Sequence, residues 1–310
     1  MSDKATALVT KVEVQPVAPR IGAVIGGVDL AGELSDEVIA SIRTALLAHR
    51  VVFFRDQHLD GGGQVRFAKR LGPLTRAHPT LPSSSEYRAL YDLDSQTGSA
   101  ANHWHTDVTF VQQPPTFSIL RAVVIPEIGG DTLWANTVAA YQDLRPSIRA
   151  MADELRAIHT NGQDYGRVDV AAAKGLLRPE QLKHIQSFVS TVYESEHPVV
   201  RIHAETDERA LLTGGFAQRL VGHNSSESVD ILRTLQAYIT RPENTVRWHW
   251  REGDVAIWDN RSTQHYAIYD YGKRHRQVQR VTTAGVVPVG LDGRESVSIQ
   301  GDATDYYPAG

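Results

Sequence analysis

The chain has 310 residues, 41% of them hydrophobic, which is ample for one β-rich domain with helical additions. Its 32 basic and 36 acidic residues leave a net charge of −4, so no general attraction to nucleic acid or to an anionic membrane is implied. The lack of cysteine excludes disulfides, cysteine nucleophiles, iron–sulfur clusters and cysteine-based zinc sites, and fits a cytoplasmic protein.

Residues 1–20 carry no apolar secretory segment and read as a loosely held lead. No apolar run approaches the ~20 residues that cross a bilayer. Gly22 and Gly26-Gly27 mark turns. Ser35 caps a predicted helix over 36–50, with Val38, Ile39, Ile42, Ala45 and Leu46 on one face. A strand over 51–55 follows. His58-Leu59-Asp60 runs into Gly61-Gly62-Gly63, which reads as a solvated loop and turn. Residues 102–110 read as a half-buried strand through Trp104, Val108 and Phe110. Pro114-Pro115 opens a strand over 116–125, ended by Pro126. Gly129-Gly130 turns the chain before a strand over 131–135.

Residues 138–158 read as helical. Residues 160–196 are mixed and polar, with a helix over 180–188, and are expected to supply a mobile active-site cover. Strand patterns resume over 198–203, 210–212 and 245–250. Between them, Asn224 with Glu227 forms a capping box for a helix burying Ile231, Leu232, Leu235, Tyr238 and Ile239. Strands over 254–258, 264–268 and 277–284 complete the chain. Strands thus dominate around the candidate site while helices flank it, the pattern of a β-barrel or jelly roll with helical insertions in one domain.

His105 and Asp107 are two apart, so on an extended strand both project from one face. They are two of the three ligands of a 2-His-1-carboxylate facial triad, which leaves iron(II) open for oxygen chemistry. The third ligand is sought in 258–266. The spacing alone is weak: His58 and Asp60 share it, and about one such pair is expected by chance. No nucleophile elbow, phosphate-binding loop, zinc-protease helix motif or dinucleotide loop occurs. The basic cluster Lys273-Arg274-His275-Arg276 stands alone in an acidic chain and is a poor nucleic-acid patch.

Four segments carry a resemblance: Trp104-His105-Thr106-Asp107-Val108-Thr109-Phe110, Gly129-Gly130-Asp131-Thr132, Arg241-Pro242-Glu243-Asn244-Thr245-Val246-Arg247-Trp248, and the run from Gly253-Asp254 to Gln264-His265. On these the chain resembles the taurine dioxygenase family of iron(II)/2-oxoglutarate-dependent oxygenases, and among them the alkylsulfatase members, over nearly its whole length. The resemblance implies a double-stranded β-helix (jelly-roll) core and a homo-oligomer, dimer or tetramer. It implies His105, Asp107 and His265 as iron ligands, and Arg276 with Thr132 as the grip on the distal carboxylate of 2-oxoglutarate. It further implies that Arg280, His78 and the Val108 backbone N–H bind the anionic head of an organosulfur substrate. Periodicity alone leaves Arg276 and Arg280 equally readable as an exposed charged face.

Where taurine-specific members have polar groups for the substrate amine, this chain has Leu81 and Ala101, which cannot hydrogen-bond an ammonium group. The implied reaction uses O2 and 2-oxoglutarate to hydroxylate the carbon bearing a sulfate ester, giving aldehyde, sulfate, succinate and CO2. A sulfonate, aryloxyalkanoate or other carboxylate oxygenase is the rival enzyme. A non-catalytic metal-binding jelly roll that senses 2-oxoglutarate is the rival outside enzymes, and a second anion pocket beside the triad argues against it.

Overall fold

The computed structural model describes residues 12–81, 83, 86–98, 101–162 and 179–308. The chain opens with β1 (Glu13–Pro16) and β2 (Ala23–Gly26), then α1 (Asp36–His49), β3 (Val51–Phe54), α2 (Gly61–Leu71) and β4 (Tyr91–Asp94). Next come β5 (Phe117–Val124), β6 (Thr132–Asn136), α3 (Thr137–Gln142), α4 (Pro146–Glu154) and β7 (Arg156–Thr160). Helix α5 (Pro179–Phe188) precedes β8 (Glu194–Pro198), β9 (Val200–Ile202), β10 (Arg209–Leu211) and β11 (Ala217–Leu220). The last third holds α6 (Ser225–Ile239), β12 (Thr245–Trp248), β13 (Val255–Asp259), β14 (Thr263–Ala267), β15 (Gln277–Thr282) and β16 (Val297–Gln300).

Among the described residues a seven-stranded sheet runs β1-β2-β3-β13-β5-β15-β4, and a three-stranded sheet runs β12-β6-β14. A four-stranded sheet, β11-β7-β8-β16, and the pair β10-β9 complete the strands. Side-chain alternation explains how the first two sheets meet. Val52, Phe54, Phe117, Ile119, Val255 and Ile257 point from the large sheet into a cluster with α1 and α2. The intervening Val51, Phe53, Leu120, Ala256, Trp258 and Val278 point the other way and pack on Trp134, Val246 and Trp248 of the three-stranded sheet. Phe53 stacks on Trp248 with ring centroids 4.0 Å apart. The large sheet is therefore covered on both faces, by helices on one and by a sheet on the other.

Most expected elements appear at the expected places. Ser35 accepts from the Val38 N–H and caps α1, whose buried face is the predicted one. The Asn224–Glu227 capping box forms, and Leu235, Tyr238 and Ile239 are buried, while Ile231 and Leu232 are half-buried. Three expectations are corrected. Gly61-Gly62-Gly63 does not turn the chain but begins α2, capped by the Asp60 side chain on the Gly63 N–H. Packing overrides the weak helical propensity of glycine there, and a Cβ on Gly61 would stand 3.0 Å from the buried Leu90 Cδ2. Residues 138–158 are not one helix: Pro146 starts a second helix, and Arg156–Thr160 is a buried strand. Residues 105–110 form no regular strand, only a single bridge at His105 followed by a turn. His58 is exposed in a loop, as expected.

The interior of the four-stranded sheet holds two histidines, His159 and His197, with no exposed surface and ring centroids 4.9 Å apart. Burial pushes His197 down to about 3, with Arg201 and Arg156 adding to the effect. Burial, with His197 beside it, holds His159 well below the usual imidazole range. Unfolded, such a histidine titrates near ~6.5. Below that value the unfolded chain binds more protons than the folded one, so stability is full above pH ~6.5 and falls as the pH drops toward 3. Well inside this window each buried histidine contributes about 1.4 kcal/mol per pH unit. Urea unfolding between pH 7.5 and 5 is therefore expected to show a shallower loss for His197→Gln than for the parent. Parallel profiles would show that His197 is not held neutral.

Candidate active site

The candidate ligands come from two segments that are distant in sequence. His105 and His265 form a two-way backbone bridge, His105 N to His265 O at 3.1 Å and His265 N to His105 O at 2.8 Å. The Thr106 hydroxyl donates to Thr263 O at 2.7 Å and ties the same segments once more. The turn after His105 then brings Asp107 back beside both rings. Its Oδ1 lies 3.9 Å from His105 Nε2 and 3.8 Å from His265 Nε2. One donor atom from each residue falls within 4.8 Å of the others, and the three could hold a metal ion. All three are buried, at 5%, 2% and 7% exposure for His105, Asp107 and His265.

The surroundings suit a metal. His105 Nδ1 lies 2.8 Å from the His103 carbonyl, an acceptor only, so Nδ1 carries the proton and Nε2 keeps its lone pair toward the cluster. Burial, then the neighbouring His265, holds His105 well below the usual imidazole range. Burial pushes His265 down to about 4 despite the Asp107 charge. Both rings are thus neutral at physiological pH, the form that metal ligation requires. Asp107 Oδ2 accepts from the Ser118 hydroxyl at 2.6 Å. Ser118 in turn accepts from Asn260 Nδ2 at 2.8 Å, and Asn260 Oδ1 accepts from the Trp258 indole at 3.0 Å. The indole only donates, so the chain Trp258–Asn260–Ser118–Asp107 has one direction and spends the serine proton on the carboxylate.

A cavity of about 420 Å³ opens beside the cluster. His105, His265 and Trp258 line it together with Thr132, Arg276, Val278 and Arg280. Leu81, Ala101 and Leu120 supply apolar wall, and Glu180, Lys183 and Ser187 of α5 complete it. Arg276, Val278 and Arg280 share the inward face, which settles the ambiguity that periodicity left. Arg276 is 7% exposed, and no carboxylate among the described residues pairs with it. Burial lowers its pKa, the signature of a cation placed where an anion would relieve it. Its Nε donates to Gly130 O at 2.9 Å. Gly130 has φ +77°, and a Cβ there would stand 2.9 Å from Arg276 Cδ, so the glycine turn is what lets Arg276 pass. Thr132 Oγ1 accepts from the Trp250 indole at 2.9 Å, which leaves the hydroxyl proton free to donate into the cavity.

Arg280 is 8% exposed and bonds the same Asp107 oxygen that faces the two histidines. It also lies over the Tyr91 ring, at 5.5 Å. Neither His78 nor Val108 lines the cavity. His78 is buried behind Leu81 and Tyr91, its ring 5.8 Å from Tyr91 and 5.0 Å from Phe188. Its Nδ1 accepts from the N–H groups of Thr80 at 3.1 Å and Leu81 at 3.3 Å, so the proton sits on Nε2. Val108 packs in the same apolar cluster and has φ +54°. Such a conformation is a genuine outlier for a β-branched residue and marks backbone held under constraint.

Of the expected cover over 160–196, residues 163–178 lie outside the described residues, and α5 reaches the cavity wall. Sequence reasoning missed Ser118, Asn260, His103, Trp250 and Tyr306. Asn260 and Trp250 stand in or near quoted segments, but Ser118 and Tyr306 carry no local signal. Tyr306 is 2% exposed and packs with Leu81, Tyr91 and Val108. No helix among the described residues is long and apolar enough to cross a membrane.

The strand-rich fold thus buries a His-Asp-His cluster that could hold a metal ion, beside a cavity lined by two buried arginines. The chain belongs to the family described as taurine catabolism dioxygenase TauD, TfdA family, whose model matches residues 13–282. It is 52% identical over 288 residues to a Pseudomonas putida protein named alpha-ketoglutarate-dependent sulfate ester dioxygenase, covering 92% of this chain and 94% of that one. It is 50% identical over 285 residues to an Acinetobacter baylyi protein named alkylsulfatase, covering 91% and 88%. A solved structure of a taurine dioxygenase from Burkholderia xenovorans superposes with a TM-score of 0.79 at 39% identity, covering 95% of this chain and 98% of that one.

Proposed function

We propose that this chain is an iron(II)- and 2-oxoglutarate-dependent dioxygenase that cleaves alkyl sulfate esters oxidatively. The observation that carries the reading is that one cavity opens on the two histidines of the His105–Asp107–His265 cluster and is lined by two buried arginines and an apolar wall. The similarity to proteins named sulfate ester dioxygenase and alkylsulfatase supports the substrate class. The double-stranded β-helix core is likewise our reading of the paired sheets, supported by the superposition on taurine dioxygenase structures. The whole chain is read as one such domain, cytoplasmic and homo-oligomeric.

His105, Asp107 and His265 hold the iron, which when bound supplies the activation of O2 against 2-oxoglutarate. Arg276 and Thr132 bind the distal carboxylate of 2-oxoglutarate, the guanidinium as a bidentate partner for a planar anion. Arg280 and the Val108 N–H bind the sulfate head. His78 stands behind Tyr91 and Leu81 and backs the wall at the head-group end without reaching the cavity. Leu81 and Ala101 face the alkyl chain. One oxygen atom enters succinate, formed with CO2, and the other hydroxylates the carbon bearing the sulfate. The resulting hydroxy sulfate ester breaks its carbon–oxygen bond to give an aldehyde and sulfate.

The test is substrate competition. Medium-chain alkyl sulfates are expected to yield aldehyde, sulfate and succinate in equal amounts, and taurine is expected to be poor. Each buried methylene adds up to about 0.8 kcal/mol, close to four-fold in specificity, until the wall is covered. Preference for taurine, or succinate without sulfate release, would overturn the alkyl sulfate assignment and leave the oxygenase one standing.

A further inference from the structure

The turn that follows His105 is gripped from outside the cavity by three side chains with no place in the reaction. His197 Nε2 meets the Thr109 carbonyl at 2.7 Å. The Ser195 hydroxyl donates to the Phe110 carbonyl at 3.0 Å. His159 Nδ1 meets the Thr109 hydroxyl at 2.9 Å. His159 stands opposite Ser195 in the β7–β8 register, and His197 is two residues further along β8, so all three share one face of the four-stranded sheet. They are almost wholly buried, at 0%, 1% and 0% exposure for His159, Ser195 and His197. Three polar side chains at such positions are costly unless each is bonded, and each sends a bond to residue 109 or 110. His197 is itself held from behind, its Nδ1 at 2.7 Å from the Ser296 hydroxyl.

The residue just before these anchors is Val108, at φ +54°. A β-branched residue stays in that region only when its surroundings over-determine it. No acceptor among the described residues takes the Val108 N–H. Asp107 needs no such help, because Ser118 fixes its carboxylate separately. We infer that His159, Ser195 and His197 are positioning residues that hold the strained Val108 turn, and with it the Val108 N–H that the head-group assignment places beside Arg280. This rests on the assignment of the sulfate head to Arg280 and Val108.

The experiment compares steady-state constants of iron-loaded His197→Leu, His197→Gln and Ser195→Ala with the parent. Losing one buried hydrogen bond corresponds to about five-fold in affinity. His197→Leu is expected to raise KM for an alkyl sulfate about five-fold or more. KM for 2-oxoglutarate and the charge-transfer band of the iron–2-oxoglutarate complex should change less than about two-fold. His197→Gln keeps an N–H donor at the same reach and is expected to restore the sulfate KM, which a change in general stability would not do. Ser195→Ala shifts the same constant in the same direction and decides the matter if His197→Leu does not fold. Unchanged sulfate KM in these variants, or a parallel loss for both substrates, overturns the inference. Arg280→Ala separates the two levels: a raised sulfate KM there with none in the turn variants refutes the positioning role alone. No change in any of them refutes the head-group assignment as well.

Discussion

His265→Ala is expected to lose the weak visible charge-transfer band that iron(II) and 2-oxoglutarate give under anaerobic conditions, and with it turnover. His265 supplies one of the three donor atoms that converge within 4.8 Å, and no other histidine or carboxylate among the described residues joins that cluster. Asp107→Ala is expected to behave alike, since it removes the one anionic ligand. Ser118→Ala should fall between them. It leaves all three ligands in place but frees Asp107 Oδ2 from its 2.6 Å bond, and losing such an orienting partner lowers metal affinity about 10–100-fold. His58→Ala should change nothing, because His58 is exposed and lies outside the cluster. Anaerobic iron titration followed by the band is the measurement. A band of undiminished strength in His265→Ala would remove that residue from the ligand set.

Arg276→Ala and Arg280→Ala are expected to separate the two anions. Removing one partner of a desolvated charge pair costs about 2–5 kcal/mol, roughly thirty-fold or more in affinity. Arg276→Ala should carry that loss on 2-oxoglutarate. Its guanidinium is held by Gly130 O and faces the cavity next to Thr132. Arg280→Ala should carry it on the sulfated substrate, with the charge-transfer band retained because Ser118 still orients Asp107. Separate titrations of each ligand into each variant are the check. Equal effects of both variants on both ligands would mean that the cavity does not divide into two anion subsites.

The histidine and carboxylate pairing shows how a site residue can be read correctly for an incomplete reason. Period-two alternation on a strand places His105 and Asp107 on one face, but the chain forms a single bridge at His105 and then turns. The two side chains meet because the His105–His265 bridge, the Thr106 hydroxyl on Thr263 O and the Ser118 hydroxyl on Asp107 fix the segment from outside, partners that no local propensity foretells. Gly61-Gly62-Gly63 is the opposite case. Local composition speaks for a turn, but the Asp60 cap and the close packing of Leu90 on Gly61 make the same glycines a helix start.

What the sequence determined by itself is the chemistry on offer: no thiol, two separated histidine segments with a carboxylate two residues after the first histidine, and two arginines four apart. The caps of α1 and α6 and the alternation of the core strands were legible too, because they depend on neighbours within a few residues. Only the tertiary structure decided which face of β15 turns inward, since Gln277 and Gln279 make the other face polar as well. There the packing of Val278 beside Trp258 commits Arg276 and Arg280 to the interior. Only it could supply Ser118, Asn260 and the buried pair His159 and His197, whose partners lie many residues away. Hydrogen bonds of that kind are set by sheet register and layer packing, long-range contacts that leave no local pattern in the chain.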